Sequence, residues 1–315
     1  MIKKTLYFGN PAYLSLKLGQ LVVRKPGLEP SLLEMEEEQA KKYGEVYKTI
    51  PVEDIGMVVL DNKQITVTQG LLEALHMNNT AVVTCDSKHL PCGLFLPLEG
   101  NTVQSERFRV QIDASLPLKK QLWQQTVAQK IRNQGAVLAY STGKIHNNMA
   151  VWANDVRSGD AQNMEARAAV YYWKTVFPEY PAFIRNRDEA GPNILLNYGY
   201  GILRAIIARA LVSSGMLPTL GIHHHNRYNA YCLADDTMEP YRPYVDKMVV
   251  DMLRINPEGE LDQSAKAMML GIPTLEVVIA GKRSPLMVAA STTTASLYKC
   301  FVWESRKILY PEMTL

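Results

Sequence analysis

What the chain lacks narrows it first. Cysteine is sparse: Cys85, Cys92, Cys232 and Cys300 are four in 315 residues, scattered, with no Cys-x-x-Cys pair. That excludes a zinc ribbon and a secreted disulfide scaffold, and a reducing cytoplasm is the natural setting. No uninterrupted apolar run of about 18 residues occurs, since the best candidate is cut by Arg204 and Arg209. The opening MIKKTLYFGN has Lys3 and Lys4 but no apolar stretch long enough for a signal peptide, so no membrane is expected. No internal repeat is visible. A strong excess of one charge is also missing: 34 Lys and Arg stand against 31 Asp and Glu, a formal +3. That balance permits a polyanionic partner only through local clustering of basic residues.

What is present is an ordinary globular composition, 47% hydrophobic and 21% charged, in a chain long enough for two domains. The two halves are patterned differently. Up to residue 88 the chain reads as short runs rich in β-branched and aromatic residues: TLYF, AYLSLKLGQLVVR, VYKTIPVEDIGMVVLD, KQITVTQ and TAVVTCD. Gly, Pro, Asn and Asp separate them, as turns between strands require. Only GLLEALHMN has helical spacing there, at Leu71, Leu72 and Leu75. The acidic run Glu36, Glu37, Glu38, followed by Lys41 and Lys42, reads as a solvated loop or hairpin arm. Residues 89–104, interrupted by Pro and Gly, are expected to link the halves.

From residue 105 to 315 the period becomes helical. LKKQLWQQTVAQKIRNQGAVLAY places Leu122, Val127, Ile131, Val137 and Leu138 on one side, and MEARAAVYYWKTVF and NILLNYGYGILRAIIARALVSSG continue in that style. Segregated strands and helices predict an α+β chain: a β-rich domain, 1–88, then a larger all-α domain, 105–315.

Polar chemistry concentrates in GIHHHNRYNAYCLADDTMEPYRP, residues 221–243. Consecutive side chains in an extended segment point to alternate faces, so one of His223, His224 and His225 is the sensible expectation for a ligand. Asp236 and Glu239 are three apart and, on a helix, address one cation. Asp235 points elsewhere and suits an N-cap, and Pro240 distorts the turn. An acid-rich helix start, favoured by the helix dipole, explains the same residues equally well.

A third element favours the metal reading. Glu165 is the single acid of an Ala-rich helix, sharing a face with Ala168, Ala169 and Tyr172. A carboxylate there is partly buried and needs a cation or hydrogen bonds, from a metal ion or from an arginine such as Arg167 or Arg242. Carboxylates with one imidazole suit Mg2+ or Mn2+, which stabilise in-line displacement at phosphate. Lys119, Lys120, Lys130 and Arg132 on one helix, Arg185 and Arg187 in FIRNRDEAGPN, and Arg242 are of the right kind to follow a DNA backbone.

Together MEARAAVYYW, LNYGYGILRA, GIHHHN and LADDTMEPYRP, in that order, resemble the CRISPR-associated integrase Cas-one (Cas1), the larger of two adaptation proteins of CRISPR systems. IPVEDIGMVVLD and ITVTQGLLEAL are similar to the family's β-rich start, and SLYKCFVWESRKILYP to the end of its type II branch. The resemblance spans nearly the whole chain. It implies a β domain that dimerises, a helical catalytic domain, and two homodimers flanking a dimer of Cas-two (Cas2) in a heterohexamer. It implies joining of the 3′-hydroxyls of a short protospacer duplex to the CRISPR repeat, with associated endonuclease activity. The family's metal-binding glutamate falls on Glu165 and its Gly-x-x-His histidine on His224. Its second acidic pair falls on Asp236 and Glu239, Glu239 being the direct ligand. Glu165, His224 and Glu239 are thus the implied catalytic residues, with Mg2+ or Mn2+ as cofactor. The rival readings are a metal-dependent nuclease acting on branched DNA without integration, and a non-catalytic DNA-binding subunit.

Overall fold

The computed structural model describes residues 3–24, 48–186 and 191–314. The acidic run at 36–38 with Lys41 and Lys42, and Arg187, lie outside the described residues. The chain forms two compact units, Met1–Leu98 and Glu99–Leu315, the first rich in strands and the second mainly helical. This is the α+β order expected from the sequence.

In the first unit the described strands are β1 (Lys4–Phe8), β2 (Ala12–Lys17), β3 (Gln20–Arg24), β4 (Lys48–Pro51), β5 (Ile55–Leu60), β6 (Ile65–Val67), β7 (Ala81–Cys85) and β8 (Pro91–Phe95). They make two four-stranded sheets, ordered β1-β5-β7-β8 and β4-β3-β2-β6. β5 runs parallel to both β1 and β7. Its Ile55–Val59 stretch is buried on both faces, which is why it reads IGMVV without alternation. Helix α1 (Gln69–Met77) buries Leu71 and Leu75, one turn apart, in a core with Leu14, Leu21, Ile55, Val58 and Val82. Each such fully buried side chain contributes on the order of 2 kcal/mol.

The expected linker needs correction. Pro91–Phe95, inside 89–104, is β8, paired antiparallel with β7. Proline begins it at the sheet edge, where a missing N–H costs nothing. A helix starts by Gln104, so only about 96–103 lacks regular structure.

The second unit contains α2 (Gln104–Asp113), α3 (Leu116–Thr142), α4 (Asn147–Asp155), α5 (Met164–Thr175), α6 (Pro192–Ser213), α7 (Cys232–Met238), α8 (Arg242–Ile255), α9 (Gln263–Met269) and α10 (Leu286–Phe301). The stripe Leu122, Val127, Ile131, Val137 and Leu138 of α3 is buried, as its spacing predicts. Ser115 caps α3, accepting from the Leu118 N–H, and Gly143 ends it in the left-handed region at φ 70°. By length and composition α6 could cross a membrane, but 78% of its most apolar window is buried in this unit, so it is a core helix. Gly199 lets α8 and α9 approach α6: a Cβ there would stand 2.5 Å from Val245 Cγ1 and 3.0 Å from Met269 Sδ. A small antiparallel sheet, ordered β10-β9-β11, also belongs to this unit, built from β9 (Glu276–Ile279), β10 (Lys282–Pro285) and β11 (Pro311–Glu312). The helical reading of this half did not contain it, because strands of two to four residues are too short to establish a period.

All four cysteines are free thiols; Cys232 and Cys300 are buried and Cys92 is exposed. A variant with all four replaced by Ser or Ala is expected to match the unaltered chain in any Mn2+ binding, losing stability mainly at Cys232 and Cys300. Isothermal titration with Mn2+ alongside thermal denaturation checks this, and loss of metal binding in a folded variant would contradict it.

Candidate active site

The histidine segment is positioned by packing and by one buried carboxylate. Gly221 opens it at a place where no side chain fits: a Cβ would meet the His224 carbonyl oxygen at 2.4 Å and Asp236 Oδ2 at 2.8 Å. Only glycine allows so close an approach. Asp236, on α7, is fully buried and accepts hydrogen bonds from the backbone N–H of His223 (2.9 Å) and of His224 (3.3 Å). It also bonds His224 Nδ1. The three imidazoles diverge. His223 stacks flat on Trp123 of α3, with centroids 4.2 Å apart and planes 1° from parallel. His224 meets the same indole edge-on and turns to Asp236. His225 is exposed. With Nδ1–H directed at Asp236, Nε2 of His224 is the nitrogen that presents a lone pair. The Asp236 hydrogen bond raises the His224 pKa, outweighing burial, and Glu239 and Glu165 raise it further. Burial and the neighbouring His224 lower that of His223.

The two glutamates come from separate segments and meet on one ammonium. Glu165 sits in the first turn of α5, where Asp160 fixes the helix start by accepting from the N–H of Met164 (2.8 Å) and of Glu165 (3.0 Å). Glu239 opens a 3-10 turn, Glu239–Tyr241, between α7 and α8. Pro240 ends α7 at this turn, so Asp236 and Glu239 do not share one regular helix. Asn133 of α3 ties the turn down, donating to the carbonyl of Pro240 at 2.7 Å. Lys130 Nζ of α3 then lies 2.7 Å from Glu165 Oε1 and 2.6 Å from Glu239 Oε2. Arg242 Nε donates to the other oxygen, Glu239 Oε1, at 2.8 Å. Burial pushes the Glu239 carboxyl up, but Arg242 and Lys130 beside it prevail and hold it at about 2. Burial pulls Lys130 down, and Glu239 and Glu165 more than offset this.

Glu165, His224, Asp236 and Glu239 are therefore gathered in one neighbourhood. They are not yet a closed cage: among the described residues no three acid, imidazole or thiol groups stand close enough together to hold a metal ion. The donor set nevertheless fits one. Glu165 of α5 and Glu239 of the 3-10 turn already share a cation, and the charges of both reach the His224 imidazole, a donor set suited to Mg2+ or Mn2+. Asp236, expected as a ligand, instead has both oxygens engaged by the histidine segment, behind His224.

Other expected residues are placed differently from the sequence reading. Lys130, expected on DNA, is 12% exposed and committed to the glutamates. Arg242 is paired with Glu239 and lies over the Tyr200 ring. Arg185 donates to Asn193 Oδ1 (2.8 Å) and Asn197 Oδ1 (2.7 Å), holding the start of α6. Lys119, Lys120 and Arg132 remain at or near the surface, Arg132 donating to Asn154 Oδ1. Asp235 is no N-cap: α7 begins after Tyr231, and Asp235 bonds Arg204 Nε at 2.7 Å and Asn229 Nδ2 at 2.7 Å. Asp235→Asn is expected to cost about 1–2 kcal/mol of stability, the scale of a charge-assisted hydrogen bond, and to leave catalysis largely intact. Chemical denaturation and a strand-joining assay on the same preparation check both halves of that expectation. Trp123, Asp160, Asn133 and the bridging role of Lys130 were not singled out from sequence. Asp160 carried a legible signal, an acid shortly before a helix start, but Lys130 looked like any lysine of an amphipathic helix.

The model of the CRISPR associated protein Cas1 family matches residues 8–279. The chain belongs to the Cas1 family. A CRISPR-associated endonuclease Cas1 of Neisseria meningitidis is 38% identical over 254 residues, 80% of this chain and 76% of that one. Among solved structures, a casposase bound to an integration product superposes with TM-score 0.76 at 19% identity, covering 98% of this chain and 92% of that one. The Cas1 fold recurs in a chain of a Cas6-RT-Cas1–Cas2 complex, with TM-score 0.72 at 18% identity over 99% of this chain and 36% of that one.

Proposed function

We propose that this Cas1 chain joins the 3′-hydroxyl ends of a short DNA duplex to a CRISPR repeat by transesterification, and that the same site cuts DNA when water replaces the hydroxyl. The observation that carries the reading is the shared cation position of Glu165 and Glu239 beside an imidazole oriented by a buried carboxylate. Glu165, Glu239 and Nε2 of His224 are the residues that would hold Mg2+ or Mn2+. Bound there, such an ion supplies a Lewis acid that neutralises charge at phosphate and favours an alkoxide nucleophile. The chain's own residues do the rest. Arg242 keeps Glu239 ionised. Asp236 keeps the His224 proton on Nδ1, and the Trp123–His223 stack holds the segment in register. Lys119, Lys120 and Arg132 follow the phosphate backbone and orient it for in-line attack. A transesterification nearly conserves bond energy, so neither a covalent enzyme intermediate nor ATP is required for joining.

The homodimer through the β-rich unit, the heterohexamer with Cas2 and the cytoplasmic location are part of the same proposal. They rest on membership of the Cas1 family and on the solved chain from a Cas1–Cas2 complex. Light scattering at micromolar concentration is expected to give a dimer, and a monomer alone would count against it. The deciding experiment mixes purified protein, its Cas2 partner, a short duplex and a repeat-containing plasmid, with and without Mn2+. Joined products that need Mn2+ support integration. Cleaved DNA without joined products favours the branched-DNA nuclease.

A further inference from the structure

The proposed chemistry gives Lys130 no part, yet its placement is specific. Its ammonium does not sit beside the carboxylates as a spectator. It contacts one oxygen of each glutamate, Glu165 Oε1 at 2.7 Å and Glu239 Oε2 at 2.6 Å. Those two oxygens converge on one ammonium, and the remaining oxygen of Glu239 is taken by Arg242. Oε2 of Glu239 is buried and is neutralised there by Lys130. A metal–oxygen bond to Mg2+ is about 2.0–2.1 Å long, so an ion bridging the same two oxygens needs the volume the ammonium fills.

Charge counting points the same way. Two carboxylates, Glu165 and Glu239, are already balanced by two cations, Lys130 and Arg242. Adding a divalent ion while Lys130 stays would leave four positive charges against two negative. Exchanging Lys130 for the ion removes one of them. Crowding an ammonium and a divalent ion onto shared oxygens is repulsive in a poorly solvated site. The flexible four-carbon stem of lysine allows the exchange, which a rigid arginine fork would resist.

We infer that Lys130 is the resident counter-ion of the metal-free site and is displaced from Glu165 and Glu239 when the divalent ion loads. This rests on the metal reading of the site given above. Lys130 thereby does two things. It keeps two buried carboxylates compensated before loading, and it makes metal affinity the outcome of a competition rather than of the ligands alone. Lys130 is a positioning residue in this role, acting through the carboxylates.

The test compares Lys130→Gln with the unaltered chain, reading free Mn2+ by electron paramagnetic resonance. Removal of a competing cation should tighten Mn2+ binding roughly tenfold or more. It should also lower the melting temperature without metal and enlarge the rise that Mn2+ produces, because the ion then compensates carboxylates left unpaired. Unchanged or weaker Mn2+ binding by folded Lys130→Gln, with normal binding by the unaltered chain, overturns the exchange and leaves the metal site standing. Absence of Mn2+ binding in both overturns the metal reading and this inference with it. Amine labelling of the unaltered chain gives an answer that does not depend on the variant folding. Acetylation of Lys130, followed by mass spectrometry, should rise when Mn2+ is added, whereas Lys130 equally protected with Mn2+ bound refutes displacement.

Discussion

Glu239→Gln is expected to abolish strand joining, by about three orders of magnitude or more, the scale of losing a direct charge contact in the transition state. Glu165→Gln should do the same. The two should part company in stability, which makes the pair informative. Glu239 is 7% exposed and neutralises two cations, Lys130 and Arg242, whereas Glu165 is 23% exposed and among the described residues pairs with Lys130 alone. Gln at 239 therefore leaves two half-compensated charges in a poorly solvated place, at a cost of about 1–3 kcal/mol. Gln at 165 costs less, because solvent reaches the site and Glu239 still holds Lys130. The measurements are joining in Mn2+, Mn2+ affinity and chemical denaturation of both variants. Near-normal joining by either folded variant would remove that glutamate from the ligand set. Equal destabilisation would mean that the Lys130 bridge is not what organises the pair.

The contrast between those two glutamates shows what the sequence could carry. The strand-rich and helical halves were legible because β5, α3 and α6 each sustain a period or an unbroken apolar run long enough to read. Edges were less legible. Pro91, Cys92 and Gly93 look like linker, and only pairing with β7 makes them strand. Glu165, His224, Asp236 and Glu239 read as a set because they stand in motifs, but the contacts each would make were not readable. Spacing puts Asp236 and Glu239 one helical turn apart and suggests a shared ion. The 3-10 turn at Pro240 and the close approach at Gly221 instead turn Asp236 to the histidine segment and Glu239 to Lys130 and Arg242, and both are matters of backbone path. The basic residues were least legible. Lys130, Arg185 and Arg242 are indistinguishable in sequence from surface cations, and only the buried carboxylates and amides they meet reveal internal roles.

Asp236→Asn is the second large effect, and it separates orientation from ligation. Asp236 is an acceptor on every side: two backbone N–H groups and Nδ1–H of His224 converge on its two oxygens. An asparagine offers one acceptor oxygen and one NH2 donor. Whichever way it is turned, the NH2 confronts a donor. If it confronts the backbone, the histidine segment loses its anchor in a fully buried place. If it confronts the imidazole, Nδ1 must become the acceptor and the proton moves to Nε2, the tautomer that cannot bind a metal through that nitrogen. Joining is expected to fall by roughly three to four orders of magnitude, as when a buried carboxylate that orients a catalytic imidazole is neutralised. Mn2+ affinity should fall by about 10–100-fold, the range for partners lying behind a metal ligand. Nitrogen-15 chemical shifts of the His224 ring report the tautomer directly. A folded variant that keeps Nδ1–H on His224 yet loses Mn2+ would show that Asp236 reaches the ion itself, and the orienting role assigned to it here would be wrong.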